Sequence, residues 1–439
     1  MMRSPKETMP RNKFPIRKAI LSCSYDDSGD NLEEKILAYL KKERKAGKEY
    51  VTPLFARNGT DAKDFMKFNF SLQGIPLFFY GAFQLFKAGV EAVVVGNDDT
   101  GFLHEKICKF FGITNQTFVH EGKPDEWSFS NTIRKGMPAL NLTDTENMIL
   151  LPGDAPFVDV SSAVNDPDAK KYDAVLALNA KEINPFFPRG YYTALKYKGE
   201  IYLLKEPNLW ILNLKKLENE GNRFGLEIFD ILFKGRKRHT ENDSQMAMLK
   251  NLLSDPDGKG GYVFSRYRAL KAALLLGPAN IYKLWQWSEQ RKAGIVEKGD
   301  DIPIIKARTA QRVAGSLLDI DGFKIKIKPC QDPAGLIDID TYLCLYIAEN
   351  LLSVEPKIYP YYDDLQELRK SVGGKWGCAI TDDWKSIAND KAKRYGLEAH
   401  YDELGVLHQN IFPMWKIKCE AELIQNYQIR NKRLKRNNS

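Results

Sequence analysis

Two acidic motifs, far apart in the sequence, carry the carboxylates best placed to do chemistry. Gly153 and Asp154 begin "GDAPF", directly after the apolar run "NMILLP", and Asp338 and Asp340 lie in "GLIDIDT", after the alternating stretch "FKIKIKPC". Ligands of an open α/β sheet gather beyond the carboxyl ends of its strands. Carboxylates that converge there bind Mg²⁺, whose coordination is completed by water and ligand phosphates. Each aspartate alone is more simply an acidic turn, but the pair in this strand order favours a metal site.

A loop earlier in the chain is a candidate for binding phosphate. Residues 54–80 read "LFARNGTDAKDFMKFNFSLQGIPLFFY", so that a strand enters a loop with Gly59 and Thr60, Lys67 follows, and a helix begins near Pro76. Backbone N–H groups in such a loop can surround a phosphate, and a lysine adds a mobile positive charge. By itself, a glycine and a lysine in a loop more often mean a turn and a solvated side chain.

The elements that must position these residues follow from the hydrophobic pattern. From residue 50 onward, apolar runs such as "VEAVVVGND", "NMILLPGD" and "YDAVLALNA" alternate with helical stretches such as "PLFFYGAFQLFKAG". This alternation predicts a three-layer α/β/α fold with a mostly parallel, Rossmann-like sheet covered on both faces. Residues 190–213 alternate polar and apolar positions around a Lys-Gly turn, which predicts an antiparallel hairpin added to that sheet.

Three segments are expected along the chain. Residues 1–48 form an N-terminal tail with a possible strand, "KAILSCS", and a helix; residues 49–352 form the α/β domain; and residues 353–439 form a helical C-terminal extension with a basic tail. Residues 214–315 are expected to be mostly helical. For "YKLWQWSEQRKAG" (282–294), packing into the core is preferred over an amphipathic surface helix.

Composition excludes several classes of protein. The 439 residues are 43% hydrophobic, which suffices for a sizeable core, and the net charge of +8 is compatible with phosphate-bearing ligands. Six cysteines without a CxxC pair and five histidines without metal-ligand spacing indicate neither a zinc site nor a disulfide framework. No apolar stretch has the length of a signal peptide or a membrane span, so a cytoplasmic protein is expected. The short basic runs give no firm signal for nucleic acid or membrane binding.

Together the motifs resemble those of nucleotidyltransferases with a GT-A-like fold, the group that includes molybdenum cofactor guanylyltransferase-like proteins and sugar-nucleotide and CMP-sugar synthetases. That family shows a Leu-Ala-Ala-Gly-x-Gly-Thr-Arg loop, a Gly-Lys-Pro helix start, Gly-Asp-x-Pro-Phe and Asp-x-Asp-Thr. The matching features of this sequence, in the same order between about residues 50 and 352, are Ala56, Gly59 and Thr60, then Met66-Lys67 and "QGIP", then "GDAPF", then "DIDT".

The resemblance implies an Mg²⁺-dependent transfer of a nucleotidyl group from an NTP to a small phosphorylated or hydroxyl acceptor, with release of pyrophosphate. Sugar phosphates, cofactor precursors and alcohol phosphates are all acceptors of the expected kind. The implied roles are catalysis by Lys67, Asp154 and Asp340; nucleotide binding by Ala56, Arg57, Gly59, Thr60, Lys67 and Gly153; metal binding by Asp154, Asp338 and Asp340; and acceptor binding by Arg189 and Asn208.

Two departures from the family pattern keep alternatives open. Arg57 stands where the family has its first loop glycine, and Asp61 stands where it has an arginine that grips the triphosphate. A glycosyltransferase that uses a nucleotide sugar shares the fold, although its central Asp-x-Asp after an internal strand is absent here. A catalytically silent domain that binds a nucleotide is the second alternative. The sequence identifies neither the NTP nor the acceptor.

Overall fold

A computed structural model gives the fold of a large part of the chain. The residues that it describes are 16–24, 67–69, 71–73, 75–123, 126, 128–179, 193–204, 208–218, 225–227, 229–230, 266–293, 303–318, 320, 322–330, 335, 337–339, 348, 352, 356–372, 398–401 and 407–410. The predicted N-terminal helix and the predicted strand that enters the loop with Gly59 and Thr60 lie outside these ranges.

The described residues form the following elements. The strands are β1 Lys18–Ser22, β2 Ser71–Leu72, β3 Ile75–Pro76, β4 Glu91–Gly96, β5 Gln116–His120, β6 Met148–Pro152, β7 Ala174–Asn179, β8 Thr193–Tyr197, β9 Glu200–Leu204, β10 Trp210–Leu212, β11 Ile304–Lys306, β12 Ile325–Cys330, β13 Glu398–Tyr401 and β14 Leu407–Asn410. The helices are α1 Leu77–Lys87, α2 Asp98–Phe111, α3 Phe129–Gly136, α4 Val160–Val164, α5 Leu214–Glu218, α6 Arg266–Leu276, α7 Pro278–Lys292, α8 Ala307–Leu318 and α9 Tyr362–Val372.

The main sheet has seven strands in the order β12-β7-β10-β6-β1-β4-β5. Six of them are parallel, and β10 runs antiparallel to both of its neighbours, β6 and β7. Strand β1, from the predicted N-terminal segment, lies between β6 and β4, and Ala19, Ile20 and Leu21 in it are fully buried. The predicted mostly parallel α/β sheet is therefore confirmed, with β1 as one of its inner strands.

Helices and the C-terminal segment cover both faces of this sheet. In β1, Leu21 belongs to the hydrophobic cluster that contains α1, whereas its neighbour Ile20 belongs to the cluster under α3 and α7, as expected when successive strand residues point to opposite faces. The side chain of Tyr359, just before α9, donates a hydrogen bond to the carbonyl of Tyr80 in α1 (2.9 Å). The extension that was predicted to be helical thus contributes α9 to the core, and it also contains the antiparallel pair β13–β14.

The predicted antiparallel hairpin is present, but it belongs to a second sheet. Strands β8 and β9 meet at Lys198-Gly199, where φ is 49° and 95°, and β11 pairs with β8 to make a three-stranded sheet. The part of the predicted hairpin region that enters the main sheet is β10 instead. Burial explains the difference, because Ile211 and Leu212 of β10 are buried whereas Glu200 and Ile201 of β9 are exposed. In the part of the chain that the structure describes, no helix is long and apolar enough to cross a membrane.

Candidate active site at the carboxyl ends of the parallel strands

Backbone hydrogen bonds hold the carboxyl ends of three parallel strands together. The N–H of Gly153, just after β6, donates to the carbonyl of Ser22 at the end of β1 (2.8 Å). The N–H of Cys23 in turn donates to the carbonyl of Val95 in β4 (2.8 Å). The chain segments that leave β6 and β1 are therefore fixed next to each other, at the edge of the sheet where an α/β protein binds its ligands.

Gly153 is required at this edge because no space remains for a side chain. A Cβ atom on Gly153 would lie 2.7 Å from Sγ of Cys23, 3.1 Å from Cδ1 of Phe68 and 3.2 Å from Cβ of Phe78. Phe68 belongs to a short 3₁₀ turn, Lys67–Asn69. The structure thus brings the turn that carries Lys67 next to Gly153.

Asp154 and Asp338 come together in the structure. Both residues are buried, with exposed fractions of 8% and 6%. The N–H of Ile339, next to Asp338, donates a hydrogen bond to the carbonyl of Asp154 (2.9 Å), so the two motifs meet through their backbones. Burying carboxylates in this way is costly unless they are compensated, and oxygen donors of this type suit Mg²⁺. Among the described residues no group of three or more candidate ligands occurs, and the third predicted ligand, Asp340, lies outside them.

Asn208 has a clear structural contact. Its side-chain amide donates to the carbonyl of Gly335 (2.9 Å), and the residue is 8% exposed. Because Gly335 is close in sequence to Asp338, this bond helps to fix the segment that carries the second acidic motif. The role in acceptor binding that was expected for Asn208 stays a prediction.

A set of buried polar side chains was missed by the sequence analysis. Oγ of Ser24 and Oγ1 of Thr132 are 2.8 Å apart, and Oγ1 of Thr132 donates to the carbonyl of Ser24 (2.7 Å). Asn97 caps α2 by accepting from the N–H of Thr100 (2.9 Å), whose hydroxyl also donates to Oδ1 of Asn69 (2.9 Å). Asn97 directly follows β4, and Ser24 lies two residues after the end of β1. The rule that ligands gather at strand ends could therefore identify both residues, but only once β1 and β4 have been placed side by side in one sheet.

Cys23 and Glu121 add two more buried groups at the strand ends. Burial raises the pKa of the Cys23 thiol well above its ordinary value, and the negative charges of Asp154 and Glu121 raise this pKa further. The thiol is therefore neutral and a poor nucleophile at physiological pH. The N–H of Glu121, just after β5, donates to the carbonyl of Gly96 at the end of β4 (2.9 Å). Glu121 is a buried carboxylate that lies close enough to Cys23 to raise the pKa of its thiol, and the sequence analysis did not single it out.

Some of the predicted site residues lie outside the part of the chain that the structure describes. These predicted residues are Ala56, Arg57, Gly59, Thr60, Arg189 and Asp340. Their roles stay predictions, as does the role of the Lys67 side chain.

The sheet order, the helices on both faces and the polar edge define a three-layer α/β/α protein with a mostly parallel sheet and a candidate site at its carboxyl edge. No family model and no curated protein matches the sequence. Among solved structures, the chain is similar to a hypothetical transferase from Thermus thermophilus, with 15% identity over 75% of this chain and 99% of that one (TM-score 0.38).

Two further solved structures show a similarity of the same kind. The inositol-1-phosphate CTP transferase from T. maritima has 18% identity over 46% of this chain and 72% of that one (TM-score 0.28). The 4-diphosphocytidyl-2C-methyl-D-erythritol synthase from Anaerococcus prevotii has 7% identity over 77% of this chain and 98% of that one (TM-score 0.33). Matches at these levels do not establish a reaction, so a function for this chain has to come from its own site.

Proposed function

We propose that this protein is an Mg²⁺-dependent nucleotidyltransferase, which moves a nucleotidyl group from an NTP to a phosphorylated or hydroxyl acceptor and releases pyrophosphate. The observation that carries the proposal is the hydrogen bond from the N–H of Ile339 to the carbonyl of Asp154. It joins two acidic motifs that are remote in sequence, at the carboxyl edge of the sheet, where open α/β proteins bind their ligands. The order of the motifs along the chain, which resembles that of known nucleotidyltransferases, supports the same reading.

Two carboxylates in this position suit the charge that the reaction handles. Asp154 and Asp338 would hold Mg²⁺, which would supply positive charge to neutralise the NTP phosphates. Asp154 is mounted on a segment whose backbone is bonded to β1 through Gly153, so its position is set by the sheet rather than by a mobile loop. Lys67, whose turn packs beside Gly153, would add a positive charge toward the phosphates. Fixed charges of this kind contribute a few kcal/mol each to stabilising a transition state.

The reaction itself asks little covalent chemistry of the protein. An acceptor oxygen attacks the α-phosphorus in line, the bond from that phosphorus to the bridging oxygen breaks, and pyrophosphate leaves with the electron pair. A phosphate acceptor is already ionised and needs no general base, whereas a hydroxyl acceptor must also lose its proton. Catalysis then rests mainly on positioning and on charge neutralisation, and the closely packed strand ends provide a rigid frame for both.

Calorimetric titration with ATP, CTP, GTP and UTP in the presence of Mg²⁺ tests the nucleotide site. We expect one nucleotide to bind the wild-type protein, and we expect Asp154→Asn and Asp338→Asn each to weaken that binding by tenfold or more, about 1.4 kcal/mol. Asp173→Asn is the matched control. Asp173 is a partly buried carboxylate just before β7, bonded to Lys216 and to the N–H of Lys324, at the opposite edge of the sheet. Equal binding by all three variants and the wild type would rule out the proposed site.

Turnover separates an enzyme from a binding domain. With the nucleotide identified, pyrophosphate release is measured in the presence of a panel of sugar phosphates and alcohol phosphates. Release that depends on an acceptor and is lost in Asp154→Asn supports the transferase. Tight nucleotide binding without release for any acceptor would favour the silent nucleotide-binding alternative, and binding of nucleotide sugars in preference to all four NTPs would favour a glycosyltransferase.

A further inference from the structure

Helices α6 and α7 leave large apolar side chains exposed to solvent. The exposed fractions are 59% for Leu270, 71% for Leu274, 59% for Tyr282 and 49% for Trp285. We call these four residues the apolar patch. It contains more than half of the exposed large hydrophobic side chains among the described residues, and the others, Phe110, Ile201 and Ile304, lie on separate elements. A concentration of this kind marks an interaction surface more often than isolated exposed residues do.

The core does not account for this patch. The two helices already bury Ala272 and Leu276 in α6 and Leu284 and Trp287 in α7. Of these four, Leu276 and Leu284 belong to the hydrophobic cluster on one face of the main sheet. The expectation that "YKLWQWSEQRKAG" packs into the core is therefore correct for Leu284 and Trp287, and it is wrong for Tyr282 and Trp285. The helical period explains this difference, because the side chains of two residues that are two positions apart, such as Trp285 and Trp287, point to different sides of a helix.

The exposed residues form pairs along the helix surface. Leu270 and Leu274 are four residues apart in α6, so they are neighbours on the same side of that helix. Tyr282 and Trp285 are three residues apart in α7, and their ring centroids are 5.9 Å from each other. The two pairs lie on consecutive helices, on either side of the turn at Gly277, which has a φ of 84°.

The charge around the patch selects the kind of partner. The segment from 266 to 292 contains one acidic residue, Glu289, and its basic residues are Arg266, Arg268, Lys271, Lys283, Arg291 and Lys292. Lys271 and Lys283 are exposed beside the patch residues. A basic surface of this kind repels a second copy of itself, and it attracts an anionic surface. Tryptophan and tyrosine are also enriched where an apolar phase meets water, because their rings are apolar and carry one polar group.

We propose that the apolar patch docks on the surface of an anionic lipid bilayer, with Leu270, Leu274, Tyr282 and Trp285 inserted at the level of the headgroups and the lysines paired with anionic lipids. Binding of a protein surface to an anionic membrane grows with the apolar area buried at the headgroup level and with the attraction between basic side chains and anionic lipids. The inference concerns a surface made by α6 and α7 and holds whether or not the nucleotidyltransferase proposal is correct.

Cosedimentation of the full-length protein with lipid vesicles tests this proposal. Vesicles of phosphatidylcholine alone are compared with vesicles that also contain phosphatidylserine. We expect binding to the anionic vesicles only, and we expect it to weaken as salt is raised, because salt screens charges at the surface. Lys271→Gln and Lys283→Gln should each reduce the partition coefficient about fivefold, as expected when one basic residue near an anionic surface is lost. The double variant Leu274→Ala/Trp285→Ala should reduce it about tenfold or more.

Phe110→Ala is the matched control, since Phe110 is 40% exposed but lies on α2. It should sediment like the wild type. All the variants replace exposed side chains, and circular dichroism checks that each variant is folded. The dependence of wild-type binding on lipid charge and on salt tests the proposal without any variant. Equal binding to neutral and anionic vesicles, or wild-type partition of the double variant, would overturn the proposal. The proposal would also be overturned if the wild-type protein self-associated in the absence of vesicles and the double variant did not, because the patch would then bind a second copy of the chain.

Discussion

Gly153→Ala is the substitution for which the structure makes the sharpest prediction. The backbone at Gly153 does not need the left-handed conformation that favours glycine, so the only obstacle to alanine is space. The added Cβ would lie 2.7 Å from Sγ of Cys23, closer than real Cβ contacts come, with Phe68 and Phe78 at 3.1 and 3.2 Å. Since Gly153 is bonded to Ser22 through its N–H, the backbone cannot move away without breaking that contact.

The size of the effect follows from the packing. Inserting a methyl group into a filled site costs about 1–3 kcal/mol, and we expect Gly153→Ala to lower the free energy of unfolding by about 2 kcal/mol. Cys23→Ala removes the atom at the shortest distance. Alone it should cost about 1 kcal/mol through the small cavity it leaves, but in combination with Gly153→Ala it should restore part of the stability. A coupling energy of about 1 kcal/mol between the two sites is expected, because they are in contact.

Urea unfolding of the four proteins in this double-mutant cycle measures the coupling. A chain of this length need not unfold in a single step. The urea midpoints are therefore compared only between proteins whose free energy of unfolding has the same slope against urea concentration. Gly315→Ala is the control: Gly315 lies in α8 with nothing within 4 Å of an added Cβ, so alanine should be neutral or stabilise by up to about 1 kcal/mol. The reasoning would be wrong if Gly153→Ala were as stable as the wild type. It would also be wrong if Gly153→Ala lowered the free energy of unfolding by the same amount in the Cys23→Ala background.

Three further substitutions probe other parts of the structure. Burial lowers the pKa of His104, so the unfolded state binds the proton more readily than the folded state does. The free energy of unfolding should therefore fall as pH drops below about 6.5. In His104→Gln, the urea midpoint should depend less on pH across that range. Asn208→Ala removes the bond to Gly335 and should cost about 1 kcal/mol and weaken nucleotide binding, whereas a loss of stability with unchanged affinity would contradict the supporting role. Tyr359→Phe removes the bond to Tyr80 and should lower the free energy of unfolding by about 1–2 kcal/mol in the same assay; no change would show that the bond contributes nothing.

The sequence predicts well those parts of the fold whose signal is local. Strands β4, β6 and β7 are continuous apolar runs, which is the pattern of a strand buried on both faces, and each was found where it was predicted. The meeting of Asp154 with the segment of Asp338 was also predicted, since both follow strands of one parallel sheet. The rule about strand ends needs only the strand order and says nothing about side-chain geometry.

The sequence does not predict which strands pair when they are far apart along the chain. "KAILSCS" is a short run whose burial depends on β4 and β6, more than 60 residues away in the chain, and nothing within it indicates an inner position. The same reason explains why β10 was assigned to the hairpin, although it pairs with β6 and β7. The buried polar residues Ser24 and Asn97 were missed because they can be recognised only after β1 and β4 have been placed side by side.

Three backbone hydrogen bonds connect the segments of the candidate site, and they do not depend on the side chains that would do its chemistry. The bonds that join Gly153 to Ser22, Cys23 to Val95 and Ile339 to Asp154 all run between N–H and carbonyl groups. A substitution that changes only a carboxylate, such as Asp154→Asn, therefore leaves each of these bonds in place. The frame should survive while the charge is lost, so a variant that keeps its urea midpoint but no longer binds nucleotide identifies the side chain as part of the site. A variant that loses both would instead show that the carboxylate serves the fold.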